Sequence, residues 1–164
     1  MPVSSSIEAS AVSVPGPVTW PAPEFSIILP TFRERQNLVP LLAKIAAAIP
    51  DVAWEVIIVD DDSPDGTAEA AKELGAYDGR IRCLRRIGRR GRSGACIEGI
   101  LASQAPFVAV MDADLQHDET LLAGMFAALN RDQADLVIAT RYAEGGDAAS
   151  HKPFRLWLSQ LATR

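Results

Sequence analysis

The 164-residue sequence reads as an α/β domain built on a mostly parallel sheet. Three observations predict this. Short apolar runs alternate with amphipathic stretches at helical spacing, a rhythm that calls for right-handed crossovers. The run Trp54-Glu55-Val56-Ile57-Ile58-Val59 is almost unbroken, as in a strand covered on both faces. Each strand also ends in a polar cluster, and open parallel sheets bind ligands beyond the carboxyl ends of their strands. The clusters fall at residues 31–34, 60–65, 88–94, 112–116 and 140–142.

Residues 1–23 are rich in Pro, Ser, Ala and Val without periodicity, and lack the basic and apolar regions of a signal peptide; they read as a disordered leader. Order is expected from residue 24 to about 150. The first strand is Phe25-Ser26-Ile27-Ile28-Leu29, stopped by Pro30. Leu38, Leu41, Leu42 and Ile45 then recur at helical spacing, and this helix runs to Pro50. The second strand is followed by a helix over 67–74, a short strand over 81–84 and a helix over 95–103. A fourth strand enters residues 107–117, a helix follows over 118–130, and a fifth strand is expected over 135–139. Residues 151–164 begin an amphipathic basic helix carrying Trp157, which fits either an interfacial element or a helix packed on the domain. This pattern is unfinished at Arg164, so the chain is expected to be truncated.

The formal net charge of −5 argues against a general nucleic-acid binder. Cys83 and Cys96 have no C-x-x-C spacing, so a reducing compartment is the default. No run reaches the length of a membrane span.

The chemistry centres on Val108-Ala109-Val110-Met111-Asp112-Ala113-Asp114. In an extended chain, residues two apart point the same way, so Asp112 and Asp114 converge. Two close carboxylates repel unless a cation lies between them, and Mg²⁺ takes its other ligands from water and substrate phosphate. The alternative is a polar turn in which Asp114 or Asp118 caps the next helix; Asp118 is assigned to that cap. At the first strand end, Phe32 can pack on a nucleobase and Glu34 can bond an amide or ribose; equally, Thr31 and Glu34 can form a capping box. The three consecutive residues Asp60, Asp61 and Asp62 are too costly to bury together, and Asp61 can accept from a base edge. Residues 63–67 read as a structural turn. Seven arginines between Arg80 and Arg92 break the acidic average. They end in a glycine-rich loop at a helix start, where guanidinium groups favour phosphate, and Arg89 or Arg90 is the candidate diphosphate contact. Outward-facing arginines suit an anionic membrane surface.

With these residues in view, the sequence resembles the family 2 glycosyltransferases, which have a GT-A (Rossmann-like) three-layer α/β/α fold. Within them it is most similar to the dolichol-phosphate mannosyltransferase-like, polyprenyl-phosphate group. The resemblance is carried by residues 29–34, 59–67, 88–91, 110–117 and 140–142. It implies that Pro30, Phe32, Glu34, Val59, Asp61, Asp112 and Ala113 hold a GDP- or UDP-sugar, with Arg89 and Arg90 beside them. It implies that Asp112, Asp114 and Gln116 organise Mg²⁺ or Mn²⁺, and that Arg141, Arg155 and Ser159 meet the acceptor phosphate. Asp112, Asp114 and Arg141 are then the catalytic candidates. Arg33 and Asp62 stand where the family usually has Asn, and Arg92-Ser93-Gly94 replaces a pattern nearer Leu-Gly-Ser.

The expected function is inverting, metal-dependent transfer of mannose from GDP-mannose to a polyprenyl (dolichyl) phosphate at the cytoplasmic face of a membrane. A UDP-sugar donor such as UDP-glucose, or a polysaccharide acceptor, is the alternative. An inactive sugar-nucleotide-binding fragment is the non-enzymatic one. A phospho-accepting receiver domain is excluded by order, since it needs its acidic pair at the first strand and Lys where this chain has Arg141.

Overall fold

The computed structural model describes residues 20–140. Its elements are β1 (Phe25–Thr31), a 3₁₀ turn (Arg35–Asn37), α1 (Leu38–Ala48), β2 (Trp54–Asp60), α2 (Thr67–Tyr77), β3 (Ile81–Arg85), α3 (Arg92–Ala102), β4 (Phe107–Val110) and α4 (Leu121–Asn130). The four strands pair in parallel in the order β3-β2-β1-β4. The expected boundary at 150 and the helix over 151–164 lie outside the described residues, as do Arg141, Tyr142, Arg155 and Ser159.

Alternation along the strands sorts the side chains into two cores. Phe25, Ile27 and Leu29 of β1, with Val56 and Ile58 of β2, face α1, α2 and α4. Ile28, Ile57 and Val59 face the other way, onto Ala95 of α3. The result is three layers, with both sheet faces covered as the apolar runs demand. Burial of each large aliphatic side chain contributes about 1.5–3 kcal/mol, and Ile27, Ile28, Leu29, Ile57, Ile58 and Val59 are all fully buried.

Helix packing follows the same spacing logic. On α1, Leu38, Leu41, Leu42 and Ile45 are the buried face. Pro40 is tolerated because it lies in the first turn, where its missing N–H has no partner to lose. On α4, Phe126 packs its ring 5.2 Å from Phe25 and edge-on to Phe107 at 5.9 Å. On α3, Gly99 lies against the sheet so closely that a Cβ there would fall 2.3 Å from Ile28 Cγ2.

Two sequence expectations are corrected. β1 does not stop at Pro30 but runs on to Thr31. Pro30 stands beyond the last β1–β4 pair, Ile28 with Val110, so its absent N–H costs no ladder bond on that side. The fifth strand over 135–139 does not form: those residues have no strand structure and instead line an apolar groove of about 460 Å³ with β4 and α4. Strand propensity counts only where a register partner holds it, and Leu136 and Ile138 are left mostly exposed. At the start of the described chain, Trp20 stacks on the Arg80 guanidinium, whose other face lies over Trp54 at 3.9 Å.

Candidate active site

The carboxyl ends of β1, β2 and β4 open into one cleft of about 180 Å³. Pro30, Thr31, Phe32, Glu34, Asp61, Arg92, Asp112, Ala113 and Asp114 line it. Residues from the ends of β1, β2 and β4, at Thr31, Asp60 and Val110, meet here because parallel pairing puts those ends on one rim.

The β2 end divides its three carboxylates among three jobs. Asp60 is fully buried and structural: Thr31 Oγ1 donates to it at 3.2 Å, and Ser63 donates from both its amide (2.9 Å) and its hydroxyl (2.5 Å). Asp61 turns into the cleft and is held from behind by the Arg86 guanidinium and by the Gly91 amide at 2.6 Å. Asp62 points outward to Arg85 at 2.6 Å. The expected cost of burying three adjacent charges is met by supplying hydrogen bonds to two and solvent to the third. With four acceptor positions on its carboxylate and two donors described, Asp61 keeps capacity for a base edge.

Residues 63–67 latch the β1–α1 loop. Ser63 Oγ accepts from Arg33 N at 2.9 Å, and Thr67 Oγ1 accepts from Glu34 N at 3.1 Å. Gly66 supplies the left-handed residue at the start of α2, with φ of 83°. Thr31 lies in β1 and bonds to β2, so the capping box expected for Thr31 and Glu34 does not exist. Glu34 is thereby free to face the cleft, steadied by Asn37 Nδ2 at 2.5 Å. Burial pushes the Glu34 carboxyl above its ordinary range against the opposing Asn37 bond, and Asp114, Asp65 and Asp112 add to the upward push.

Asp112 and Asp114 both line the cleft. β4 ends at Val110, and the chain bends over residues 113–115, with Leu115 at φ of 60°. Asp114 Oδ1 accepts from Gln116 N at 3.1 Å. Asp112 Oδ2 accepts from Arg92 Nη1 at 2.7 Å and lies 3.6 Å from His117 Nε2. Asp118 is not the cap expected of it: α4 starts at Leu121 with Thr120 as N-cap, and Asp118 closes the turn before it, accepting from Thr120 N and Oγ1 at 3.0 and 2.6 Å.

Neither Val59 nor Gln116 lines the cleft: Val59 is fully buried in the core beside Ala95 of α3, and Gln116 is exposed. Arg89 is turned away to Glu98 at 2.9 Å, whereas Arg90 lies 4.7 Å over the Phe32 ring. Two residues escaped the sequence reading. Arg86 was one arginine in a run of seven; its burial follows from its place just past β3, beside Asp61. Gly94 makes that burial possible, since a Cβ there would fall 2.5 Å from Arg86 Nη2.

The donor set suits a hard divalent cation. Four carboxylates line the cleft, and the one hydroxyl there, Thr31 Oγ1, is given to Asp60. Among the described residues no group of three or more Asp, Glu, His or Cys is placed to hold a metal. A site with one or two protein carboxylates, completed by water and phosphate, is the ordinary arrangement for Mg²⁺.

The sequence profile described as Glycosyl transferase family 2 matches residues 26–161. The chain belongs to that family. It is 36% identical over 138 residues to a dolichol-phosphate mannosyltransferase of Pyrococcus furiosus, covering 84% of this chain and 38% of the relative. It is 34% identical to a dolichol-phosphate mannosyltransferase of Mycosarcoma maydis, covering 88% of this chain and 53% of that protein. This family 2 chain thus spans about two-fifths to one-half of those curated relatives. Among solved structures, it is similar to the mannosyltransferase PcManGT from Pyrobaculum calidifontis in complex with GDP-Man and Mn²⁺. That likeness has a TM-score of 0.56 and 26% identity over 65% of this chain and 32% of the other. The fold is also that of mannosyl-3-phosphoglycerate synthase from Rubrobacter xylanophilus, with a TM-score of 0.54 at 20% identity over 65% and 36% of the two chains. The three-layer α/β arrangement read from the sequence is therefore the GT-A fold. Among the described residues, no helix is long and apolar enough to cross a membrane.

Proposed function

We infer that this chain is the nucleotide-sugar half of an inverting glycosyltransferase. It moves mannose from GDP-mannose to a polyprenyl phosphate at the cytoplasmic face of a membrane. The observation that carries the reading is the convergence of Phe32, Glu34, Asp61, Asp112 and Asp114 on one rim cleft. The relatives named dolichol-phosphate mannosyltransferase support the sugar and the acceptor, and the solved mannosyltransferase holding GDP-Man supports the donor.

The residues divide the work by charge. Phe32 offers a face for the base, and Asp61, fixed by Arg86 and Gly91, accepts from the base edge. Asp112 and Asp114 would hold Mg²⁺ or Mn²⁺ against the diphosphate, with Gln116 of the same turn beside them. An ion held there would supply positive charge against the leaving diphosphate. Arg90 approaches that charge from the loop side, over Phe32. The acceptor phosphate monoester has a second pKa near about 6, so it arrives already anionic and needs no general base. Arg141, Arg155 and Ser159 are assigned to that phosphate. In-line attack at the anomeric carbon breaks its bond to the diphosphate oxygen and inverts its configuration.

Titration calorimetry of the chain with GDP-mannose and with UDP-glucose, each with Mn²⁺, tests the donor. Transfer of labelled mannose to a short polyprenyl phosphate tests the reaction. GDP-mannose binding with mannosyl lipid formed is the expected result. Binding without transfer overturns activity of this chain, and no binding of either donor overturns the site.

A further inference from the structure

Four carboxylates line the cleft, and Arg92 is its one basic residue among those described. Three of the four have other donors. Asp61 has Arg86 and Gly91, Glu34 has Asn37, and Asp114 has the Gln116 amide. Asp112 depends on Arg92, whose Nη1 donates to its Oδ2 at 2.7 Å; His117 stands further off at 3.6 Å.

The backbone that carries Arg92 is pinned. It is the first residue of α3, and the preceding Gly91 donates its amide to Asp61 at 2.6 Å while its carbonyl accepts from Arg86 at 3.2 Å. The tip is not pinned: the Arg92 side chain is 70% exposed. A fixed root and a solvated tip make a pivot. An ion pair this exposed is also weak, because solvent screens it and the long side chain loses freedom in forming it. A divalent ion, with twice the charge and no tether, displaces such a partner readily.

We propose that Arg92 is a built-in counter-cation: it holds Asp112 in the absence of a divalent ion and passes to the donor's diphosphate when the ion takes Asp112. The displaced guanidinium stays within the same cleft, where a diphosphate offers the paired oxygens that suit its fork. The site thereby avoids presenting an uncompensated Asp112 to an anionic donor. This inference rests on the nucleotide-sugar reading for its second half only.

The test uses Mn²⁺ alone, followed by the free-ion electron paramagnetic resonance signal, and then GDP binding at saturating Mn²⁺. Arg92→Gln is expected to bind Mn²⁺ about two- to fivefold more tightly than wild type. It is expected to bind GDP roughly tenfold more weakly, as befits loss of a charged hydrogen bond. Arg89→Gln removes the same charge from the same loop without touching Asp112, and should leave Mn²⁺ affinity close to wild type. Unchanged or weaker Mn²⁺ binding by Arg92→Gln, or an equal gain in Arg89→Gln, overturns the counter-cation role. Unchanged GDP affinity overturns the hand-over. Arg92→Leu repeats both measurements with a side chain that preserves helix propensity. If the wild type fails to bind GDP with Mn²⁺, the donor reading falls, while the Mn²⁺ titration still decides whether Arg92 competes for Asp112.

Discussion

Arg86 holds Asp61 from inside the protein. The guanidinium donates through Nη1 to Asp61 Oδ1, with both side chains almost completely buried. Nε of the same arginine donates to Glu98 at 3.1 Å, and Nη1 also reaches the Gly91 carbonyl. The cleft carboxylate of Asp61 is thus tied to β3, to α3 and to the basic loop at once. Removing one member of a buried pair strands the other charge, so Arg86→Ala is expected to cost about 3–5 kcal/mol. Urea unfolding reads this directly, and a loss below about 1 kcal/mol would show that the pair is not holding the rim. Gly94→Ala tests the same contact from the other side. It gains helix propensity but forces Arg86 away, and is expected to weaken nucleotide binding while Arg92 remains in place.

Gly99→Ala is expected to destabilise although it sits inside a helix. Propensity alone favours Ala by about 1 kcal/mol. The added methyl would meet Ile28 Cγ2 at 2.3 Å and Val59 Cγ2 at 3.0 Å, and both residues are fully buried in the sheet. Overpacking of this kind costs about 1–3 kcal/mol. A rise in melting temperature would mean that α3 can lift off the sheet without loss.

The four strands and the α-helices between them were legible because their apolar spacing is local. The elements that escaped depend on non-local facts. Pro30 looks like a strand end until it is known that β4 has already stopped beside it. Residues 135–139 look like a strand, but their pattern cannot say that no register partner forms. The cleft residues were legible by type and position on the rim. The left-handed backbone of Leu115, just after them, was not. Arg33 and Asp62, singled out as departures from the family's usual Asn, both have left-handed backbones, with φ of 64° and 56°. Asn tolerates that region better than most residues.

Asp112→Asn should abolish metal-dependent donor binding and transfer while leaving the fold intact. Asp112's pair with Arg92 is exposed, so replacing the carboxylate by an amide is expected to change stability by no more than about 0.5 kcal/mol. The loss of charge at a two-carboxylate site is expected to weaken Mn²⁺ binding at least about tenfold. Calorimetry with Mn²⁺ and GDP-mannose, beside a thermal melt, separates the two effects. Normal turnover by a folded variant would sink the metal assignment.

Two carboxylates at opposite ends of the sheet should give opposite pH signatures. Glu34 lies in the cleft, and its folded-state carboxyl is raised by burial and by Asp114, Asp65 and Asp112, against the Asn37 bond. A raised carboxyl binds its proton more readily when folded, so its favourable contribution is present below about pH 4.5 and lost as pH rises through the folded value. Glu34→Gln is therefore expected to melt higher than wild type at pH 7 and to lose that advantage near pH 4. Glu55 lies near the other end of the strands. Burial alone would raise it, but Ser26 Oγ at 2.6 Å, the Gln104 amide at 2.8 Å and Arg82 at 2.9 Å outweigh burial and lower it. Its contribution is present above the ordinary carboxylate range and is lost as pH falls through the lowered value. Glu55→Gln is expected to melt lower than wild type at pH 7, with the gap narrowing as acid protonates the wild-type carboxylate. Melting curves from pH 3 to 8 check both, and two gaps of the same sign at pH 7 would show that Glu34 is not held above its ordinary range.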